Sequence, residues 1–146
     1  MTDTDADTDA GTRQGRCLCG AIRYTVRGVE ESSACHCDMC RRWAGGPLFA
    51  VGCKELTWEG DEPKFFQTSE WAERGFCPEC GSSLVWRMTA GVHAGMTTVT
   101  LGSLDDQEGL PLTREWFIDR KPDGYALAGE HQRVTEAEAV AMFSGG

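Results

Sequence analysis

Seven of the eight cysteines in this 146-residue chain fall into three tight groups. Cys35, Cys37 and Cys40 lie within six positions and run directly into Arg41 and Arg42, with Cys17 and Cys19 before them and Cys77 and Cys80 after. No local packing role requires three thiols so close together, whereas three thiolates on one tight turn can grip a soft metal ion. The flanking pairs supply four further ligands, enough to close a tetrahedral zinc site by themselves, with iron as the alternative metal for four thiolates. That division leaves the central triplet with three ligands and room for one open position. Disulfides are the other use of clustered cysteines. However, CxC, CxCxxC and CxxC spacings with no export signal favour thiolate ligands in a reducing compartment, so a cytoplasmic location is expected.

Zinc held by three thiolates carries a net charge of about −1 and is a weak Lewis acid. It suits a soft thiol or thiolate ligand better than it suits making hydroxide. Arg41 and Arg42 can receive carboxylates of the same ligand bidentately, or can simply be solvated. His36 stands between two ligands, so in an extended segment its side chain points away from the metal. Proton carrier and polar filler are therefore better readings of His36 than fourth ligand. The alternation of Leu48–Cys53 places Cys53 with Phe49 and Val51 on an apolar face, which reads as a small buried hydrophobe. As a fourth thiolate, Cys53 would instead close the central site and make it structural.

The segments that must position these residues read as short strands at 21–26, 48–53, 55–58, 64–68, 71–76, 82–88, 97–101 and 116–118, bounded by Gly, Pro, Asp or Ser. Residues 28–33 read as a turn, and Cys37 to Cys40 as a knuckle whose amides point at the sulfurs. The expected fold is mainly β, with two packed antiparallel sheets. A short C-terminal helix is the exception: Thr135 to Glu138 has the capping-box pattern, Val140 and Phe143 form an i, i+3 apolar pair, and Gly145 and Gly146 end the run. Residues 1–14 alternate Thr, Asp and Ala and read as a disordered acidic arm, leaving 15–146 as a single domain too small to divide. The net charge of −9 includes Asp3, Asp5, Asp7 and Asp9. This balance repels phosphate backbones and anionic membranes, so neither nucleic acid nor a membrane is an expected partner. Joining Cys17 and Cys19 to Cys77 and Cys80 closes a loop of 57 residues. Closure costs about 4 kcal/mol plus a constant, against roughly 10–16 kcal/mol contributed by structural zinc.

The blocks Gly15-Arg16-Cys17-Leu18-Cys19-Gly20-Ala21-Ile22-Arg23-Tyr24, Cys35-His36-Cys37 through Cys40-Arg41, and Arg74-Gly75-Phe76-Cys77 through Cys80-Gly81-Ser82-Ser83-Leu84 resemble the glutathione-dependent formaldehyde-activating family, which includes relatives of centromere protein V. A weaker match follows at residues 116–125. The resemblance implies a beta-tent fold, a structural zinc at Cys17, Cys19, Cys77 and Cys80, and a second zinc at Cys35, Cys37 and Cys40. It also implies carbon–sulfur lyase chemistry on an adduct of formaldehyde with glutathione. In that reading Arg41 and Arg42 anchor carboxylates and His36 is the nearest group to move a proton. The alternative is a non-catalytic zinc module that binds a protein partner. The fourth coordination position separates the two.

Overall fold

A computed structural model of the chain describes residues 11–144; the first ten residues of the expected acidic arm lie outside them. The elements in order are β1 (Arg13–Arg16), β2 (Ile22–Arg27), β3 (Ser32–Cys35), α1 (Asp38–Ala44), β4 (Leu48–Cys53), β5 (Glu55–Gly60) and β6 (Lys64–Gln67). They continue with β7 (Ala72–Phe76), β8 (Ser83–Met88), β9 (Thr97–Thr100), β10 (Leu112–Trp116), β11 (Gln132–Val134) and α2 (Glu136–Ser144). Short 3-10 turns follow β9 and β10. A three-stranded antiparallel sheet runs β1-β2-β5, and an eight-stranded sheet runs β11-β10-β3-β4-β9-β8-β7-β6.

The mainly β class and the short C-terminal helix are as expected, and several local differences have physical causes. β1 starts at Arg13 and pairs with β2, so Arg13 and Gln14 belong to the sheet and not to the arm. The larger sheet is mixed: β10 runs parallel to both β3 and β11. Reading successive strands as hairpins presumes antiparallel neighbours, whereas β10 returns over a long connection to enter between two strands of its own direction. β3 occupies residues read as a turn, because Ser32 and Ala34 alternate inward though neither is strongly apolar. The strand expected at 116–118 lies earlier, at Leu112–Trp116. The knuckle is also the start of a helix: Cys37 is the N-cap of α1, and Gly45, at φ 81°, closes it by donating to Arg41 O at 2.8 Å.

Ile22, Tyr24 and Val26 alternate along β2, are fully buried, and pack in one cluster with Val51, Val85 and Val99 of the larger sheet. Each such aliphatic side chain contributes about 1.5–3 kcal/mol by leaving water. Val51, Val99 and Val85 are register partners across β4, β9 and β8, so they share the core face of that sheet. The opposite face carries Cys35, Leu48, Thr98, Trp86 and Arg74, linked by the registers of β3, β4, β9, β8 and β7. α1 lies against this second face, where Cys40 and Trp43 both touch Arg74.

α2 has the expected capping box: Thr135 N donates to Glu138 Oε1 at 2.9 Å and Glu138 N donates to Thr135 Oγ1 at 3.2 Å. Its inward residues are Ala139, which is buried, and Phe143, which packs on Trp116 and His93 at centroid distances of 5.3 and 5.7 Å. Val140 is 52% exposed, and the two inward residues stand at i, i+4. Among the described residues no helix is long and apolar enough to cross a membrane.

Candidate functional site

The two cysteine groupings read from spacing are assembled in space. The sulfurs of Cys17, Cys19, Cys77 and Cys80 lie within 4.8 Å of one another, and so do those of Cys35, Cys37 and Cys40. A tetrahedral metal–thiolate centre with bonds of about 2.3 Å has sulfur–sulfur edges of about 3.8 Å. Cys17 and Cys19 stand 3.6 Å apart and Cys19 and Cys77 3.8 Å apart, so the donor set fits a tetrahedral ion. The first pair sits just after β1 and the second in the turn between β7 and β8, so a metal here ties the small sheet to the large one.

Backbone amides serve these sulfurs as a knuckle requires. Cys77 Sγ accepts from Glu79 N and Cys80 N at 3.3 and 3.4 Å, and Cys17 Sγ accepts from Ile22 N at 3.3 Å. Gly81, at φ 81°, supplies the left-handed backbone that follows the second ligand. The Ser82 hydroxyl and amide lower the Cys80 thiol to about 5.

The triplet is built from two elements. Cys35 ends β3, while Cys37 caps α1 and Cys40 lies one turn in, with Cys40 N donating to Cys37 Sγ at 3.3 Å. The Cys35 and Cys40 thiols donate toward Cys37 and hold its thiol far below the ordinary range, aided by the Cys40 amide and the Arg74 guanidinium. The same donation to Cys37 pushes Cys35 up. Among the described residues, no further His, Cys, Asp or Glu joins this group. Cys53 does not: it shares the core face with Val51, packs against the hydrophobic cluster, reaches Thr97 O at 3.7 Å, and burial raises its thiol to about 11.

His36, Arg41 and Arg42 are placed unequally. The His36 ring is fully buried on the sheet face opposite Cys35, with Nε2 donating to Glu115 Oε1 at 2.7 Å and Nδ1 3.1 Å from the Tyr125 hydroxyl. Arg41 Nε donates to His36 O at 2.8 Å, and its side chain is 31% exposed. Arg42 Nε donates to both Asp38 oxygens at 3.1 Å from a side chain 79% exposed, an i, i+4 surface pair.

Four residues of this neighbourhood were not singled out from the sequence. Glu115 also accepts from His131 Nε2 and forms an ion pair with Arg133, whose Nε lies 3.3 Å away. Burial raises its carboxyl, but the bonds from His131 and His36 outweigh that and the net shift is downward. Tyr125 and His131 come from the segment between β10 and β11, where spacing carries no signal. Arg74 is buried, with Nη1 and Nη2 donating to Cys40 Sγ at 3.7 and 3.6 Å. A lone arginine in a strand reads as solvated, and only the third dimension sets it on a sulfur of the triplet.

A cleft of about 650 Å³ opens at Cys17 of the four-cysteine cluster, and none of the three triplet cysteines lines it. Arg16, Cys17, Ser82 and Asp105 line it, and it extends to Ala44 of α1 and to Leu48, the register partner of Cys35. Its size lies within the roughly 300–1,000 Å³ usual for small-molecule sites.

A mainly β protein of two sheets with a four-cysteine and a three-cysteine cluster is the class that fold and site define. The profile of the glutathione-dependent formaldehyde-activating enzyme family matches residues 12–120, and the chain belongs to that family. Similar proteins include one from Schizosaccharomyces pombe named an uncharacterized lyase, 32% identical over 131 residues that cover 87% of this chain and 93% of the relative. Another is a putative glutathione-dependent formaldehyde-activating enzyme from Halomonas elongata, 27% identical over 135 residues, covering 82% of this chain and 83% of the relative. Membership supports an enzyme of glutathione-related lyase or formaldehyde-activating type, with cysteine clusters able to hold metal.

Proposed function

We propose that the protein is a zinc-dependent carbon–sulfur lyase of the cytoplasm, acting on a thiol–aldehyde adduct of the S-hydroxymethylglutathione kind. The observation that carries this reading is the three-thiol centre with no fourth protein ligand among the described residues. Zinc at Cys35, Cys37 and Cys40 would supply a soft Lewis-acidic position for the substrate sulfur, while zinc at the four-cysteine cluster would be structural. In the cleavage direction the carbon–sulfur bond breaks with its electrons going to sulfur. The hydroxyl oxygen forms the carbonyl and releases its proton; addition is the reverse.

The chain's own residues bind and orient. Arg41, better placed than the surface-paired Arg42, anchors a carboxylate of the thiol. His36 acts through position: with both ring nitrogens engaged, it locks the segment that presents Cys35 and Cys37. The test is exchange spectroscopy on labelled formaldehyde and glutathione at equilibrium, with and without zinc-loaded protein. Faster interconversion of free and adduct formaldehyde is expected. An unchanged rate, with no thiol binding to the loaded protein, would instead favour a non-catalytic zinc module.

A further inference from the structure

Arg74 is a buried cation that the reaction as described leaves without a task. It is 3% exposed, its guanidinium lies 5.1 Å from the Trp43 ring centroid, and its two terminal nitrogens both reach the sulfur of Cys40. Its Nε has no hydrogen-bond partner among the described residues. An unsatisfied buried donor costs about 1–3 kcal/mol, and an apolar side chain of the same volume would avoid it. Stability alone therefore does not account for an arginine here.

We propose that Arg74 is a specificity-determining positioning residue that sets the three-cysteine centre to accept an anionic fourth ligand, a thiolate foremost, in preference to a neutral one. This rests on the reading of that centre as an open zinc site. Three thiolates on zinc total about −1, and a fourth thiolate makes about −2 in a poorly screened interior, which strongly opposes the second charge. The guanidinium on Cys40 returns the sum to about −1. Its two N–H groups also draw electron density from the Cys40 sulfur, as outer-shell donors to metal ligands do. The incoming thiol leaves its proton in the solvent, so the protein needs no base of its own for this step. A permanently charged arginine provides the compensation at any physiological pH.

The test uses the full chain loaded with cobalt(II), whose visible absorption reports the fourth ligand directly. Wild type, Arg74→Gln and Arg74→Met are titrated with glutathione, azide and imidazole, and far-ultraviolet dichroism and metal content confirm folding. Arg74→Met fills the same volume without a buried donor, so it is expected to fold even if Arg74→Gln does not. Glutathione and azide affinities should fall roughly ten- to a hundredfold in either variant, the equivalent of one charge-assisted contact, while imidazole affinity stays nearly unchanged. Equal loss of all three ligands, or loss of none, would overturn the proposal. If glutathione fails to bind wild type while azide affinity still falls selectively, the thiol reading of the open position is lost and the anion selectivity of Arg74 stands.

Discussion

His36 donates through Nε2 to Glu115 Oε1 at 2.7 Å, with side chains 0% and 1% exposed. A carboxylate can only accept, so the proton of this bond sits on the imidazole. The bond fastens the residue between two candidate metal ligands to the C-terminal end of β10, and His131 and Arg133 complete the carboxylate's partners. Removing one member of a buried charged network leaves the others uncompensated, at about 3–5 kcal/mol. Glu115→Ala should therefore destabilise the fold by about that amount and loosen metal at the triplet, measured by urea titration and metal competition.

The same carboxylate gives a pH dependence of definite sign. Its native pKa lies below the ordinary 4.5, so its contribution is fully present above that value and fades as pH falls through the lower native one. Protonation of metal-bound thiolates acts in both proteins, so the difference between wild type and Glu115→Gln isolates this group. That stability difference should shrink in urea titrations carried from neutral pH down through the carboxylate range. A difference that stays constant with pH would assign the bond no ionic character.

The four-cysteine cluster is expected to hold the fold. Cys17 and Cys19 follow β1 and Cys77 and Cys80 join β7 to β8, so a metal held there would bridge the two sheets across 57 residues of chain. Closing that loop costs about 4 kcal/mol plus a constant, while structural zinc returns roughly 10–16 kcal/mol. Cys77→Ser should be insoluble or unfolded. A variant that kept its zinc and melted like the parent would remove the structural role.

Cys37→Ser separates metal loss from helix loss, because Cys37 is both a candidate ligand and the N-cap of α1, its sulfur accepting from Cys40 N. Serine is a preferred N-cap, so the first turn of α1 keeps its partner while the centre loses a ligand. The variant should lack about one zinc per chain, as loss of a ligand from a three-ligand site requires, and keep its far-ultraviolet spectrum. Global unfolding would show that this metal also holds the fold.

Seven cysteines were legible in the sequence as two sites, because CxC and CxxC spacings encode local ligand geometry and four ligands close one tetrahedron. Cys53 was legible as a core residue through its alternation with Val51, and the capping box announced α2. What spacing does not encode is which strands meet. Arg74 reaches Cys40 only because α1 lies back across the outer face of β7, and Glu115 meets His36 only because β10 enters parallel to β3. α1 itself was hidden because its N-cap is also a knuckle cysteine and its seven residues end at once in Gly45 and Gly46.

Arg41 and Arg42 are adjacent in sequence but not equivalent in the structure, and this sets the expectation for substrate recognition. Arg42 is 79% exposed and already forked onto Asp38, so moving it to a ligand carboxylate exchanges one surface ion pair for another, with little net gain. Arg41 is 31% exposed, its Nε is spent on His36 O, and the 3.8 Å contact of its Nη2 with Asp38 is too long for a hydrogen bond. Its terminal nitrogens are thus held near the segment that carries the triplet. A charge-assisted contact contributes about 1.5–3 kcal/mol and about 1.4 kcal/mol is a factor of ten, so Arg41→Ala should weaken glutathione roughly ten- to a hundredfold. Arg42→Ala should leave glutathione affinity nearly unchanged, and a small neutral thiol should bind all three proteins alike. Calorimetric titration of both ligands against the zinc-loaded proteins checks this. Equal glutathione affinities for wild type and Arg41→Ala would remove the arginine from recognition, and Arg16, in the cleft that extends to Leu48, would be the next place to look for the carboxylate's partner.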